Sequence, residues 1–119
     1  MSVWTIASVD DQPESTLTEW QVMELPNGDR HLVGYAVEDR EGRASSAIDT
    51  FDLVNLRAVT SSGRVYQLKG QPGWNKDAEY VWKRWLRIND ATVYVDVSAS
   101  VWEASQAHST DKAWATRSM

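Results

Sequence analysis

Tryptophan and basic side chains cluster in one part of this sequence, and both residue types are suited to molecular recognition. The segment Trp82-Lys83-Arg84-Trp85 places two cations between two tryptophans. Tryptophan and arginine supply much of the binding energy of protein interfaces. We therefore predict a contact surface within residues 57–87. Its candidate binding residues are Trp74, Arg57, Arg64, Lys83, Arg84 and Arg87.

Groups that could support catalysis are fewer and lie in no known motif. His31 follows Asp29 and could act as a base oriented by a carboxylate, although a histidine at a strand end is expected to be exposed. Residues 38–41 and the pair Asp49 and Asp52 offer carboxylates for acid–base work or for a hard cation. The first group fits a solvated turn, and nothing in the sequence brings the second pair into one site. The sequence favours a protein that is not an enzyme and indicates no catalytic residue, metal or cofactor.

Composition indicates one domain without disulfides. A chain of 119 residues is the usual length of a single domain. Because cysteine is absent, disulfide scaffolds, thiol catalysis and cysteine-ligated metals are excluded. Leu, Ile, Val and Phe are scarce, but seven Trp and four Tyr can build a core from few residues. With no signal peptide and no long apolar run, we expect a cytoplasmic protein without membrane contact.

Charge is distributed unevenly along the chain. The net charge of −5 opposes nonspecific attraction to nucleic acid. Residues 1–52 have a net charge of −8, whereas residues 53–90 have a net charge of +4. The two segments could neutralise each other in the folded chain. Alternatively, they could form a dipolar surface that steers a partner or a second copy of the chain.

Strand and turn signals predict a mainly antiparallel sheet. Asn27-Gly28 and Ser61-Ser62-Gly63 lie between strand-like runs and predict two tight hairpins. Residues 38–43 are expected to form an exposed turn. The alternation over Thr92–Ser98 predicts a strand that closes the domain. The strand-like runs are residues 3–9, 20–25, 31–37, 44–51, 56–60, 64–69 and 92–98.

The hydrophobic period changes to that of a helix after residue 73. Between Asn75 and Asn89 the apolar residues recur at helical spacing, and Trp82 and Trp85 are expected to face the sheet. The predicted fold is α+β, with a single domain over residues 1–102. It comprises a curved antiparallel sheet or half-barrel of about five to seven strands, with one main helix, at about 75–89, on one face. Residues 103–119 are expected to be a short helix or a frayed tail.

Several short segments between residues 45 and 90 resemble a group of known proteins. They are Ser45-Ser46-Ala47-Ile48 with Phe51-Asp52, Thr60-Ser61-Ser62-Gly63-Arg64-Val65-Tyr66, Pro72-Gly73, and residues 77–85. These stretches look like small uncharacterised bacterial proteins carried on mobile elements such as integron cassettes and plasmids. The resemblance implies a bacterial accessory protein in the cytoplasm, and it implies no activity, cofactor or catalytic residue.

These observations favour a non-enzymatic binding or adaptor module of a bacterial accessory system. It is expected to self-associate and to contact a protein partner through residues 57–87, with Trp74 as the exposed anchor. The other interpretation of Trp74 is a lid on the rim of the core. One alternative function is a small-ligand binder or enzyme with a cavity between sheet and helix. A second alternative is a nucleic-acid contact through the basic residues, against which the net charge argues.

Overall fold

A small mixed β-barrel with two helices forms the described part of the chain. The computed structural model describes the backbone of residues 14–117 and the side chains of residues 14–107. The predicted α+β class is confirmed, and the strand predicted at residues 3–9 lies outside the described residues. The elements are β1 (Glu14–Glu24), β2 (Arg30–Ala36), β3 (Glu41–Asp52), β4 (Arg57–Thr60), β5 (Val65–Leu68), α1 (Lys76–Ile88), β6 (Val95–Asp96) and α2 (Ser98–Arg117).

The barrel closes through β1, which pairs with neighbours along both of its edges. Strands β1 to β5 follow one another as antiparallel neighbours, and both predicted hairpins are confirmed. The first four residues of β1, Glu14–Leu17, also pair with β5 in parallel. Strand β6 adds to the far end of β1, at Met23 and Glu24. The sheet is closed because β1 pairs with both β2 and β5. It is mixed because β1 and β5 run in the same direction.

Strand β1 bends between the part that pairs with β5 and the part that pairs with β6. Its register against β2 shifts between Thr18 and Gln21, and Glu19 has a φ of 51°, a left-handed conformation that few residues other than glycine adopt. The next residue, Trp20, is fully buried. On the facing strand a Cβ at Gly34 would lie 3.1 Å from the Cα of Trp20, so a glycine lets the two backbones approach closely.

Two apolar clusters lie on opposite faces of the sheet. The first comprises nine buried residues and includes Val101 of α2. Trp102, also on α2, packs against this cluster, and its ring centroid lies 6.4 Å from that of Trp20. The second cluster lies between the sheet and α1 and comprises Met23, Val33, Ala78, Trp82 and Leu86.

Helix α1 has the position and the buried stripe that its sequence predicts. The side chain of Asn75 caps it, because Oδ1 accepts a hydrogen bond of 2.9 Å from the backbone N–H of Ala78. Ala78, Trp82 and Leu86 are its buried residues. A Cβ at Gly42 would lie only 2.4 Å from the backbone nitrogen of Ala78. The first turn of the helix therefore docks directly on a glycine of β3.

The strand predicted over Thr92–Ser98 is shorter than expected, and its valine face is not buried. Only Val95–Asp96 pair with β1, and Val93 and Val95 are both about 60% exposed. The chain turns into α2 at Ser98, whose N–H donates a hydrogen bond of 2.9 Å to Asp96 Oδ1. This local side-chain bond starts a helix where alternation alone predicted a strand. Residues 103–117 therefore belong to α2. No helix in the described range 14–117 is long and apolar enough to cross a membrane.

The turn expected at residues 38–43 is present at residues 37–40, but the end of the expected range belongs to β3 and is buried. Strand β3 begins at Glu41, and Arg43 is only 2% exposed. Its guanidinium pairs with Asp39, and less closely with Glu41 at 3.3 Å. Burial tends to lower the pKa of Arg43, but Tyr66 and Asp39 outweigh burial and raise it above its usual value. The segment therefore contributes a buried cation to the end of the barrel.

Glu38, in the connection between β2 and β3, holds the first half of β1. Its Oε1 accepts a hydrogen bond from the N–H of Thr16, and its Oε2 accepts one from Thr16 Oγ1, each 2.8 Å long. Burial opposes ionisation, but the two bonds from Thr16 outweigh it and lower the pKa of Glu38 below its ordinary 4.5.

We predict that replacing Glu38 by Gln weakens the acid dependence of folding. The unfolded chain protonates this carboxylate more readily, so the native state gains stability above about pH 4.5 and loses it as the pH falls through the lowered pKa. Solvent screens the group, so the gain is at most about 1 kcal/mol. Urea unfolding of both proteins should show a difference at pH 7 that shrinks at pH 3. An equal difference at both pH values, or one matched by Glu103→Gln, would contradict the assignment.

Candidate binding cleft

A cleft opens where the outer face of the sheet, helix α1 and β6 meet. Its volume is about 160 Å³, close to the ~150 Å³ that holds one benzene molecule in an engineered protein cavity. Three sides are provided by β1 and β2, by α1 with the loop before it, and by the segment around β6. We call it the Trp74 cleft. Its lining residues are Gln21, Met23, Val33, Trp74, Glu79, Trp82, Tyr94 and Asp96.

The inner wall of the cleft is aromatic and held in place by ring contacts. Trp82 stacks on Trp85 with a centroid distance of 5.1 Å and an interplanar angle of 10°. Tyr94 meets Trp82 edge to face at 5.5 Å and 88°. These are the favoured geometries of aromatic pairs. Within the described residues the buried Nε1–H of Trp82 has no hydrogen-bond partner.

Trp74 forms the outer rim of the cleft and is 56% exposed. Its Nε1–H donates a hydrogen bond of 3.1 Å to Glu79 Oε1 on the first turn of α1. The neighbours of Trp74 are bound to the bend of β1: Gly73 N–H donates to Trp20 O at 3.1 Å, and Asn75 Nδ2 donates to Glu19 Oε1 at 2.9 Å. The residues on both sides of Trp74 are therefore held to β1, and its ring is held by Glu79.

Two carboxylates give the cleft a negative charge. Glu79 faces Trp74, and its other oxygen lies 3.5 Å from Lys83 Nζ in an exposed pair that water screens. Asp96 Oδ2 accepts a hydrogen bond of 2.9 Å from Gln21 Nε2, and its Oδ1 is bound to Ser98. No ion pair joins Asp96 to a basic side chain of the described residues.

The predicted basic residues lie on different elements. Arg57 on β4 donates to Glu14 and, at 3.2 Å, to Gln67. Arg64 precedes β5 and is only 5% exposed. Lys83, Arg84 and Arg87 are exposed on α1, which packs against β2 and β3. Of the six candidate residues, only Trp74 lines the cleft.

His31 is buried, contrary to the exposed position expected for it. It is 4% exposed, and its ring centroid lies 4.5 Å from that of Trp85. Its Nδ1 is 2.9 Å from the carbonyl oxygen of Ser45, so Nδ1 carries the proton and donates. This histidine supports the aromatic wall from behind. In the described part of the chain, no three His, Asp or Glu side chains are grouped so that they could hold a metal ion.

Sequence reasoning missed Gln21, Tyr94 and Asp96 as cleft residues. All three reach the cleft through the antiparallel pairing of β6 with β1, a contact between segments about 70 residues apart. No local signal predicts that pairing. The one available indication was Tyr94, an aromatic residue on the polar face of an alternating run.

Comparison with known proteins assigns neither a family nor a function to this chain. No known protein family matches the chain, and no curated protein or solved structure is significantly similar to it.

Replacing Asn75 should separate helix capping from the restraint on Trp74. Asn75→Ala removes both of its side-chain bonds and should lower the free energy of unfolding by about 1 kcal/mol. Asn75→Ser keeps a cap but is too short to reach Glu19, so it should keep most of the stability. Urea unfolding measures the first effect, and ¹⁵N relaxation of the Trp74 indole measures the second.

Both variants should make that indole more mobile. An unchanged indole in both variants, or an undiminished stability of Asn75→Ala, would contradict these roles.

Proposed function

We propose that this protein is a non-enzymatic binding module, and that the Trp74 cleft receives one small protruding group of its partner. The observation that carries the proposal is Trp74 itself. It is a large exposed ring that is hydrogen-bonded to Glu79 and restrained through both neighbours. A rigid aromatic at an interface loses little conformational entropy on binding, which is why such residues serve as anchors.

The size of the cleft supports a single group as its occupant. Sites for drug-sized ligands measure about 300–1,000 Å³, whereas this cleft measures about 160 Å³. Trp82, its inner wall, is 1% exposed and stacked on Trp85, so the wall is formed before any ligand arrives. A preformed wall and a restrained rim lower the cost of ordering on binding.

The chemistry of the lining supports binding rather than catalysis. Its polar groups are two carboxylates, one amide and aromatic hydroxyl and indole groups, and the cleft has no nucleophile paired with a base. The buried His31 lies behind Trp85 and uses Nδ1 to hold the backbone of β3. The cleft lies between the sheet and α1, which is where a small-ligand binder of this fold would have its cavity, and Trp74 lies within residues 57–87.

A fragment screen on the ¹⁵N-labelled full chain tests this proposal. Replacing Trp74 by Phe identifies its indole resonance. Small fragments, neutral and charged, should bind with dissociation constants of roughly 1 mM and shift the Trp74 and Trp82 indole signals. Trp74→Ala should weaken such binding by about tenfold, because it removes the rim.

Tyr80→Ala is the matched control. Tyr80 is an exposed aromatic of α1, 63% exposed, that does not line the cleft, so its replacement should leave binding unchanged. A complete screen without shifts at Trp74 and Trp82, or hits that Trp74→Ala does not weaken, would overturn the proposal.

A further inference from the structure

The Trp74 cleft combines aromatic faces with negative charge. Trp74, Trp82 and Tyr94 supply the rings, and Glu79 and Asp96 supply two carboxylates. None of the described residues that line it is basic. A ring face attracts a cation through its quadrupole, and the attraction grows when the cation is shielded from water. The electrostatic partner of this lining is therefore a cation rather than an anion.

The hydrogen-bonding capacity of the cleft narrows the kind of cation. A primary ammonium has three donors and a guanidinium has five, and each must be satisfied when it is buried. The deeper lining includes the apolar side chains of Met23 and Val33. Asp96 already accepts bonds from Gln21 and Ser98, and Glu79 accepts one from Trp74. A fully methylated ammonium needs no hydrogen bond and suits apolar walls.

We propose that the Trp74 cleft binds a quaternary, methylated ammonium group, an inference that rests on the proposed function of the cleft. The methyl groups contact the exposed ring of Trp74 and the inner wall that contains Trp82, and Glu79 and Asp96 balance the positive charge. The volume of about 160 Å³ admits one such group. Either a small solute or a trimethylated lysine of a partner protein carries this chemistry.

Two ligands of equal shape isolate the charge. Choline and 3,3-dimethylbutan-1-ol differ by a nitrogen in place of a carbon. Titrated into the ¹⁵N-labelled full chain, choline should shift the Trp74 indole signal and should bind at least about tenfold more tightly than the neutral alcohol. Its affinity should fall with added sodium chloride, since salt screens the carboxylates.

Two isosteric variants test the carboxylates separately. Glu79→Gln keeps an acceptor for Trp74, and Asp96→Asn keeps one for Ser98, so both should fold with unchanged circular dichroism. Each should weaken choline binding by roughly two- to fivefold without affecting the neutral alcohol. The matched control is Glu103→Gln, which removes one exposed carboxylate of α2 outside the cleft and should change neither affinity.

A third titration distinguishes the source of the group. A peptide that carries trimethyllysine should bind more tightly than choline if the partner is a protein, and no more tightly if it is a small solute. The same peptide with unmodified lysine should bind more weakly in either case.

The outcomes separate this inference from the function on which it rests. If the neutral alcohol binds as tightly as choline, or other fragments shift Trp74 and choline does not, the cation inference is overturned and the cleft stands as a binding site. If no fragment and no choline shifts Trp74, both are overturned. Choline binding that both carboxylate variants leave unchanged also overturns the inference.

Discussion

The bend of β1 at Glu19 and Trp20 is the constraint on which both the barrel and the cleft depend. Three hydrogen bonds tie it to the loop before α1: Trp20 Nε1–H donates to Gly70 O at 2.9 Å, Gly73 N–H donates to Trp20 O, and Asn75 donates to Glu19. Before the bend, β1 pairs with β5 and closes the barrel; beyond it, β1 pairs with β6. One local departure from regular strand geometry therefore directs the strand into two pairings and fixes the loop that carries Trp74.

Charged side chains are compensated differently at the barrel end, around Arg43, and at the Trp74 cleft. At the barrel end, the buried guanidinium of Arg43 is matched by Asp39 and Glu41, so acidic and basic groups neutralise each other within the fold. Such a pairing satisfies a buried charge rather than adding much stability. At the cleft, Asp96 is held by an amide and by Ser98, not by a cation of the described residues. At the cleft, a carboxylate without an ion pair to the described residues thus lies near the exposed ring of Trp74.

Local signals predicted the local elements well. The Asn27-Gly28 turn, the Ser61-Ser62-Gly63 turn and helix α1 with its Asn75 cap all depend on residues close in sequence, and each is present. Long-range pairing was beyond such signals: the parallel contact of β1 with β5 and the docking of β6 on β1 join distant segments. Burial of His31 was missed because its partners lie on β3 and α1, and burial of Arg43 was missed because Ser15 and Tyr66, which surround it, lie on β1 and β5. For the cleft, the sequence indicated Trp74 as a candidate anchor, but the carboxylate of Asp96 is placed there only by the tertiary fold.

The central claim is that the Trp74 cleft is a preformed site for a methylated ammonium group. A crystal structure of the full chain grown with choline tests it most directly. We expect the choline nitrogen between Trp74, Trp82 and Tyr94, on the side of Glu79 and Asp96, with the rings where they stand in the free protein. An ordered choline at another surface, or a Trp74 ring that occupies the cleft and leaves no room for the ligand, would contradict the account.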